Sequence, residues 1–303
     1  MVIEQAIFTS AQTDRSEGYH LVVASRGIVS EDRRELTVWG PSHDSLLMTG
    51  GEASSVNFFR LPSGSFCVSK TVAAGPEYSG RGGERIYTHY LVVPPEALAR
   101  FGNNPFAVLY AAVAGGQMVV SRQVPSRLGQ IRLIGGAGQF DREALSQLST
   151  ADEAACCGQV VDAVLAARRV AVVADVVAAG PRKLFAAAIN CLPLSWRGEA
   201  SFSTGLKHST RRPFCIIAVE NDESLHQSLA RRHGLSMIGA RDSEPVALGG
   251  WAAFVTAALE ANQPTAIADA LLQTGAAGTL DELNRLGEIA QQSIAQRPRE
   301  STV

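Results

Sequence analysis

The chain contains 303 residues, of which 46% are hydrophobic and 18% are charged, and this length permits one large domain or two smaller ones. Such a composition excludes general disorder because it can bury enough apolar area, and we expect an exception only at residues 296–303. Proteins that bind a phosphate backbone need an excess of Lys and Arg, and this chain has a formal net charge of −2, which argues against a nucleic-acid-binding protein.

The cysteines and the N-terminus argue against an exported protein. The five cysteines are an odd number, and the sequence holds no C-x-x-C pair of the kind that builds disulfide frameworks or zinc ribbons. No basic segment precedes the first apolar residues, and no apolar run approaches the length of a membrane span. We therefore expect a cytoplasmic protein without a membrane span.

Up to about residue 135 the pattern predicts strands with short helices inserted between them. Ser30 is predicted to be the N-cap of a short helix, and the pairs Pro94-Pro95 and Asn104-Pro105 each mark a helix start. Pro62 and Gly64, between predicted strands at residues 56–61 and 65–70, are suited to a hairpin turn. The predicted strands are residues 5–9, 18–24, 56–61, 65–70, 86–93, 118–124 and 130–134.

Helices dominate the second part of the chain. Capping-box spacing occurs twice, at residues 150–153 and 279–282, and from Gly250 onward the pattern is wholly helical. A helix is also predicted at residues 181–191, among strands at residues 170–175, 199–204 and 214–219, as in an α/β unit with a right-handed crossover. The sequence thus predicts an α+β protein: a β-rich N-terminal domain over residues 1–140 and an α/β-to-helical C-terminal domain over residues 141–303, unless both form one body.

The sequence lacks the motifs of common catalytic and metal sites. The Gly-rich stretch at residues 134–139 has neither P-loop nor dinucleotide-binding spacing, so it is interpreted as a turn. No G-x-S-x-G string exists. The string Ser-His-Asp-Ser at residues 42–45 contains triad residue types, but neighbours in sequence rarely face one another as a triad does, so it is interpreted as a loop at a helix end. The six histidines show no metal-binding spacing. We therefore expect no catalytic residues, no metal and no cofactor.

Two groups of basic residues are candidate anion-binding sites. Arg81 lies in a glycine-rich turn and His89 on the strand after it, so together they could receive a phosphate or a partner's carboxylate. The alternative is that Arg81 pairs internally and His89 is a hydrogen-bonded core residue. Lys207, Arg211 and Arg212 lie between two predicted strands and could dock an acidic surface or nucleic acid, or form a solvated hairpin tip, which the negative net charge favours.

Three groups of short strings occur in order along the chain. They are Phe-Thr-Ser at residues 8–10 with Gly-Tyr-His-Leu-Val-Val-Ala-Ser at residues 18–25 and Gly27; Gly-Arg-Gly at residues 80–82 with Thr-His-Tyr-Leu-Val at residues 88–92; and Leu-Pro at residues 192–193, Arg197 and Ser-Phe-Ser-Thr at residues 201–204. In order and rough spacing, over about residues 6–205, these strings resemble the N-terminal and following regions of the bacterial GTPase-associated protein 1 family, known from NTP-dependent conflict (defence) systems.

The resemblance implies a non-enzymatic accessory component that works beside a GTPase or a related NTPase, and it brings no established catalytic site. The leading hypothesis is therefore an adaptor or regulatory subunit that docks a partner protein. Arg81 and His89, followed by Arg197, Ser201 and Thr204, are the expected interaction or structural-anchor residues.

Two alternatives remain open at the level of the sequence. The first is a hydrolase or transferase in which Arg81 neutralises developing charge and His89 transfers a proton. The second is a nucleic-acid-binding module that uses Lys207, Arg211 and Arg212. The affinity of such a module would fall steeply with salt concentration, because cations that contact phosphates release bound counterions.

Overall fold

The computed structural model describes residues 1–13, 16–48, 53–76, 84–121, 123, 125–148, 150–178, 180–240, 247–276 and 278–294. The chain forms two compact units. The first contains Met1–Ala137 and Ser201–Val219, and the second contains Gly138–Ala200 and Glu220–Val303. The first unit therefore recruits a segment that follows residue 140 in the chain, while the division at that residue stays a prediction.

The described residues form ten strands and eleven α-helices. The strands are β1 (Val2–Thr13), β2 (Ser16–Ala24), β3 (Ser54–Arg60), β4 (Phe66–Pro76), β5 (Glu84–Val93), β6 (Ile131–Arg132), β7 (Val170–Val173), β8 (Phe202–Ser203), β9 (Ile216–Val219) and β10 (Ser236–Ile238). The helices are α1 (Ser30–Val38), α2 (Pro95–Arg100), α3 (Pro105–Ala114), α4 (Arg142–Ser146), α5 (Ala151–Leu165), α6 (Pro181–Cys191), α7 (Leu194–Arg197), α8 (Glu223–His233), α9 (Gly250–Glu260), α10 (Pro264–Gln273) and α11 (Leu280–Ile294).

The first unit is built on a mixed sheet in which most neighbours are antiparallel. Its strand order is β9-β8-β3-β4-β5-β1-β2, with β6 paired to the start of β1. Only β8 and β9 are parallel to each other in this unit's described pairs. Eight consecutive residues of β5 are buried, because this strand lies in the middle of the sheet and is covered on both faces. This β-rich architecture with short inserted helices is the one that the sequence predicted.

Local sequence signals explain where the helices of the first unit begin. The side chain of Asn104 accepts hydrogen bonds from the backbone N–H groups of Phe106 and Ala107, which confirms the predicted start of α3. The prediction that Ser30 is an N-cap is wrong by one residue. Val29 occupies the cap position without a side-chain hydrogen bond, and Ser30 is the first helical residue.

The strand predicted at residues 118–124 is wrong in the part that the structure describes, residues 118–121 and 123, which form no strand. The physical reason lies in the backbone of Met118, whose φ of 64° is in the left-handed region and incompatible with an extended chain. The apolar residues of this stretch are typical of a strand, but here the chain leaves α3 through a turn at Gly115 and Gly116 and continues as irregular backbone.

The second unit is largely helical. The capping box at the start of α5 is confirmed, because Thr150 Oγ1 accepts from the N–H of Glu153 and the Glu153 carboxylate accepts from the N–H of Thr150. The wholly helical pattern predicted from Gly250 onward corresponds to α9, α10 and α11. Within this unit β7 pairs in parallel with β10, a strand that the sequence reading did not identify.

The core of the second unit depends on a close helix contact. Trp251 in α9 is fully buried, and its indole N–H donates to the carbonyl of Cys191 over 3.0 Å. Gly287 in α11 lies so close to α9 that an added Cβ would be 2.5 Å from the backbone of Trp251, so only glycine permits this approach. The observed fold is α+β, as predicted.

Candidate functional site

The basic loop, which we define as residues 204–215, connects β8 to β9 in the first unit and carries most of the predicted cations. Two hydroxyl groups fix its base. Thr204 Oγ1 accepts a hydrogen bond from the backbone N–H of Val56 at 2.9 Å, which extends the pairing of β8 with β3. Ser201 Oγ donates to the carbonyl of Pro213 at 2.8 Å and accepts from the N–H of Cys215 at 3.0 Å, so it joins the two ends of the loop.

A second segment of the first unit holds the loop from its side. The backbone N–H of Lys207 donates to the carbonyl of Ser45 at 2.8 Å, and the N–H of Leu47 donates to the carbonyl of Gly205 at 2.8 Å. An antiparallel bridge between Leu46 and Leu206 lies between these bonds. The start of the basic loop is therefore positioned by backbone hydrogen bonds, and Ser45 is brought beside it.

Arg212 turns inward from the basic loop while its neighbours point to solvent. The side chain is half-buried, whereas Lys207 and Arg211 are exposed. Its Nη1 donates to the carbonyl of Lys207 at 2.8 Å, and its Nη2 lies 3.4 Å from Ser45 Oγ, at the long end of hydrogen bonding. Both acceptors are neutral, so the guanidinium keeps its full positive charge.

Burial shapes the electrostatics around Arg212. Loss of water lowers the pKa of Arg212 below its ordinary value, and the nearby Tyr90 opposes this shift. Burial raises the pKa of Tyr90 well above its ordinary value, so its hydroxyl stays neutral and donates to the carbonyl of Leu36 at 3.2 Å. Tyr90 is therefore a polar neighbour of the guanidinium and cannot serve as its counter-ion at neutral pH.

A buried band of small polar side chains crosses the same sheet, and the sequence reading missed it. Ser203 Oγ lies 3.2 Å from Ser55 Oγ, which donates to Asn57 Oδ1 at 2.7 Å. Asn57 Nδ2 donates to Ser69 Oγ at 3.1 Å. These contacts satisfy one another inside the unit, so the band stiffens the sheet that supports the basic loop and offers little to a ligand. The buried members are Ser55, Asn57, Ser69, Thr71, Thr88 and Ser203.

His89 lies within the sheet of the first unit and is 7% exposed. Gln5 donates through Nε2 to the carbonyl of Gly129 at 2.8 Å, so its Oε1 accepts at 2.7 Å from the Nε2–H of His89. His89 Nδ1 is buried without a hydrogen-bond partner, and burial lowers the pKa of His89 to about 4. A neutral imidazole carries no charge for an anion, so an interaction role for His89 stays a prediction without electrostatic support.

Arg81, the intended partner of His89, lies outside the described residues, as do the other residues at positions 77–83. Their joint role as an anion site, and the hydrolase or transferase that would use it, therefore stay predictions. Successive side chains of a strand face opposite sides of a sheet, so His89 and Tyr90 lie on opposite faces. His89 contacts Gln5, whereas Arg212 contacts Ser45 and the carbonyl of Lys207, so the two side chains share no hydrogen-bond partner among those described.

Arg197 is positioned as a structural anchor of the second unit. It is 1% exposed, and its guanidinium donates to the carbonyls of Leu192 at 2.9 Å, Asn190 at 2.9 Å and Gln139 at 2.6 Å. The first two carbonyls belong to the end of α6, where unpaired carbonyl groups favour a cation. Burial lowers the pKa of Arg197 to about 10, which leaves it protonated at neutral pH.

The structure thus divides the predicted residues among three environments. One segment of the first unit contains Ser201, Thr204, Lys207, Arg211 and Arg212. Within it, Arg212 contacts Ser45. His89 is inside the sheet of that unit, and Arg197 is inside the second unit. The sequence indicated only a loop at a helix end for Ser45, because its place beside Arg212 depends on pairing between segments about 160 residues apart.

Within the described part of the chain, no group of three or more His, Cys, Asp or Glu side chains is arranged to hold a metal ion. A separate finding concerns membranes: none of the helices described combines the length and the apolar character needed to cross one.

Comparison with known families gives a match to part of the first unit. Residues 2–131 match the family model described as GTPase-associated protein 1, N-terminal domain type 2, which confirms the resemblance over that region. The third string of the resemblance, at residues 192–204, lies beyond the matched residues. No curated protein and no solved structure matches the chain.

Proposed function

With a GTPase-associated protein 1 N-terminal domain at residues 2–131 as the premise, we propose that this chain is a non-enzymatic adaptor or regulatory component that binds a GTPase or a related NTPase. The observation that carries the proposal is the match itself, because the family is named for its association with a GTPase. The bacterial conflict (defence) setting belongs to the same proposal and rests on the sequence resemblance. The cytoplasmic location is also part of the proposal and rests on the scattered cysteines and the N-terminal residues.

The proposed docking surface is on the first unit. The matched residues supply β1 to β5, α1 to α3 and the first residue of β6, and the chain returns to the same unit with β8, β9 and the basic loop. Lys207 and Arg211 project from that loop into solvent, where positive charges steer an acidic partner during encounter. Because the loop is fixed at its base, little conformational entropy is lost when a partner binds.

A direct experiment is co-purification of the full chain with the GTPase or NTPase encoded beside it. We expect a complex at micromolar concentrations in at least one nucleotide state, GDP or GTP, measured by size-exclusion chromatography with light scattering. The partner's nucleotide hydrolysis rate with and without this chain would distinguish a regulator from a passive adaptor. Failure to form a complex in the apo, GDP and GTP states would reject the proposal.

The nucleic-acid alternative is tested in the same preparation. A fluorescent single-stranded or double-stranded oligonucleotide is titrated at 50 mM and 200 mM salt, because phosphate contacts weaken steeply over this interval. We expect no saturable binding even at the lower salt concentration. Tight binding that falls by orders of magnitude at the higher concentration would favour the alternative.

A further inference from the structure

We infer that Arg212 and Ser45 form a receptor for a single carboxylate group, supplied by an acidic segment of the protein partner. The inference rests on the proposed function for the identity of the partner, and on the geometry of the first unit for the site itself. It separates Arg212, as the group that holds the ligand, from Lys207 and Arg211, as exposed charges at the rim.

The first argument is a count of hydrogen-bond donors. A guanidinium carries five N–H groups, and Arg212 uses one on Nη1 for the carbonyl of Lys207 and one on Nη2 for Ser45 Oγ. No hydrogen bond is made by the Nε–H of Arg212, and Nε is not among the buried unpartnered atoms of the described chain, so this N–H group reaches solvent. Arg212 therefore presents its Nε–H to an incoming group while Nη1 and Nη2 hold it in place.

Ser45 adds a donor to the same spot. Its Oγ accepts from the backbone N–H of Ser42 at 3.1 Å as well as from Arg212. Both of these contacts use the oxygen as acceptor, so the hydroxyl hydrogen is left to donate to a ligand. Since Ser45 is fixed through its own carbonyl to Lys207, the hydroxyl and the guanidinium are organised before the ligand arrives.

The second argument concerns the missing counter-ion. Throughout the described residues no Asp or Glu carboxylate lies within salt-bridge distance of Arg212, and its nearest polar neighbours are neutral. A half-buried cation without an opposite charge is poorly hydrated. An external anion that replaces the lost water gains more there than at a fully exposed arginine.

The charge of the site favours a carboxylate over a phosphate. One guanidinium is half-buried, and it matches the single negative charge and the two oxygens of a carboxylate. A phosphate monoester carries about −1.5 to −2 charges at neutral pH and would need a second cation at the same depth. Lys207 and Arg211 are exposed, so they are suited to attract the flanking acidic residues of the same segment.

The probe for the experiment is a blocked eight-residue peptide in which four Glu residues alternate with Gly or Ser. A peptide with Gln at the same four positions is the matched control ligand. Binding is followed by NMR of the arginine Nε–H groups in the full-length chain and by calorimetric titration at low salt. We expect the Glu peptide to shift the Arg212 Nε–H signal, assigned with the variant Arg212→Lys, and the Gln peptide to leave it unchanged.

The variants separate a built site from diffuse charge. Arg212→Gln is expected to weaken the Glu peptide about tenfold or more, and Ser45→Ala to weaken it about threefold. Arg212→Lys keeps the charge but loses the fork, so it should also weaken binding. The control is Arg127→Gln, an exposed arginine of the same unit, which is expected to change affinity less than twofold.

Several results would overturn the inference. One is an equal loss of affinity for Arg212→Gln and Arg127→Gln in proteins with unchanged thermal unfolding, since binding would then follow net charge alone. Another is tighter binding of inorganic phosphate, or of an oligonucleotide, through Arg212. If Arg212→Gln does not weaken the GTPase complex, the carboxylate site is rejected and the proposed function stands. If the peptide binds at Arg212 but no GTPase complex forms, the proposed function is rejected and the site stands.

Discussion

The interior of the chain and the basic loop use the same residue type for opposite purposes. Arg197 is 1% exposed and donates to three backbone carbonyls, whereas Arg212 is half-buried and donates to one carbonyl and one distant hydroxyl. Burial lowers the pKa of both, but Arg197 is almost fully buried, whereas Arg212 keeps its Nε–H open to solvent. The comparison teaches that a perturbed arginine becomes an interaction candidate through its unused donors rather than through its burial alone.

The largest expected effect is the loss of the interior arginine. Arg197→Met removes a guanidinium that serves the carbonyls of residues 139, 190 and 192, and these buried acceptors would be left without their donor. We expect a loss of about 3 to 5 kcal/mol in the free energy of unfolding, measured by urea denaturation.

The matched control for this variant is Arg231→Met, an exposed arginine of the same unit. It should change the free energy of unfolding by less than about 0.5 kcal/mol. If Arg197→Met were as stable as this control, Arg197 would not be a structural anchor, and its contrast with Arg212 would be lost.

The second effect tests whether His89 belongs to the interior. Burial lowers its pKa from 6.5 to about 4, so between these two pH values His89 is protonated in the unfolded chain and neutral in the folded chain. The resulting stability is fully present above pH 6.5 and is lost as the pH falls toward 4. From pH 7 to pH 4.5 we expect His89 alone to contribute a loss of about 2.5 kcal/mol.

The measurement is urea denaturation of the wild type and of His89→Gln at both pH values. The difference between the two proteins in their pH dependence isolates the histidine from the carboxylates that also titrate. Identical pH dependence in both proteins would mean that His89 is not buried as a neutral group, and its role as a charged interaction residue would regain support.

The smallest effect belongs to the rim of the basic loop. Arg211→Gln removes an exposed charge, so the free energy of unfolding should change by less than about 0.5 kcal/mol. Association with an acidic partner should instead slow severalfold at low salt and become less sensitive to salt, as stopped-flow kinetics would measure. A large loss in the free energy of unfolding would contradict this and would mean that Arg211 is a buried structural residue like Arg197.

The sequence was most informative where a local signal determines the outcome. The capping box at Thr150, the helix start at Asn104 and the helical pattern after Gly250 each depend on residues within a few positions of one another. The α+β class followed from those patterns. Met118 is a counter-example, since its apolar side chain favours a strand while its φ of 64° is incompatible with one.

The candidate site was only partly predictable for the same reason. Arg212 stood out as one of several cations in a loop, but nothing local indicates that it turns inward while Arg211 points outward. That difference depends on the pairing of residues 45–47 with residues 205–207, which is a long-range contact. The buried hydroxyl band likewise depends on the register of four strands, which no single strand reveals.

The return of β8 to the edge of β3 has a consequence for how the protein is made. Residues 138–200 belong to the second unit, so the ribosome must complete that long stretch before β3 can receive its partner on that side. An uncovered strand edge invites pairing with other chains. A fragment that ends at residue 131, where the family match ends, lacks β8 and keeps this edge of β3 open, so we expect it to aggregate. A fragment that ends at residue 219 contains β8, but it also requires residues 138–200 to fold.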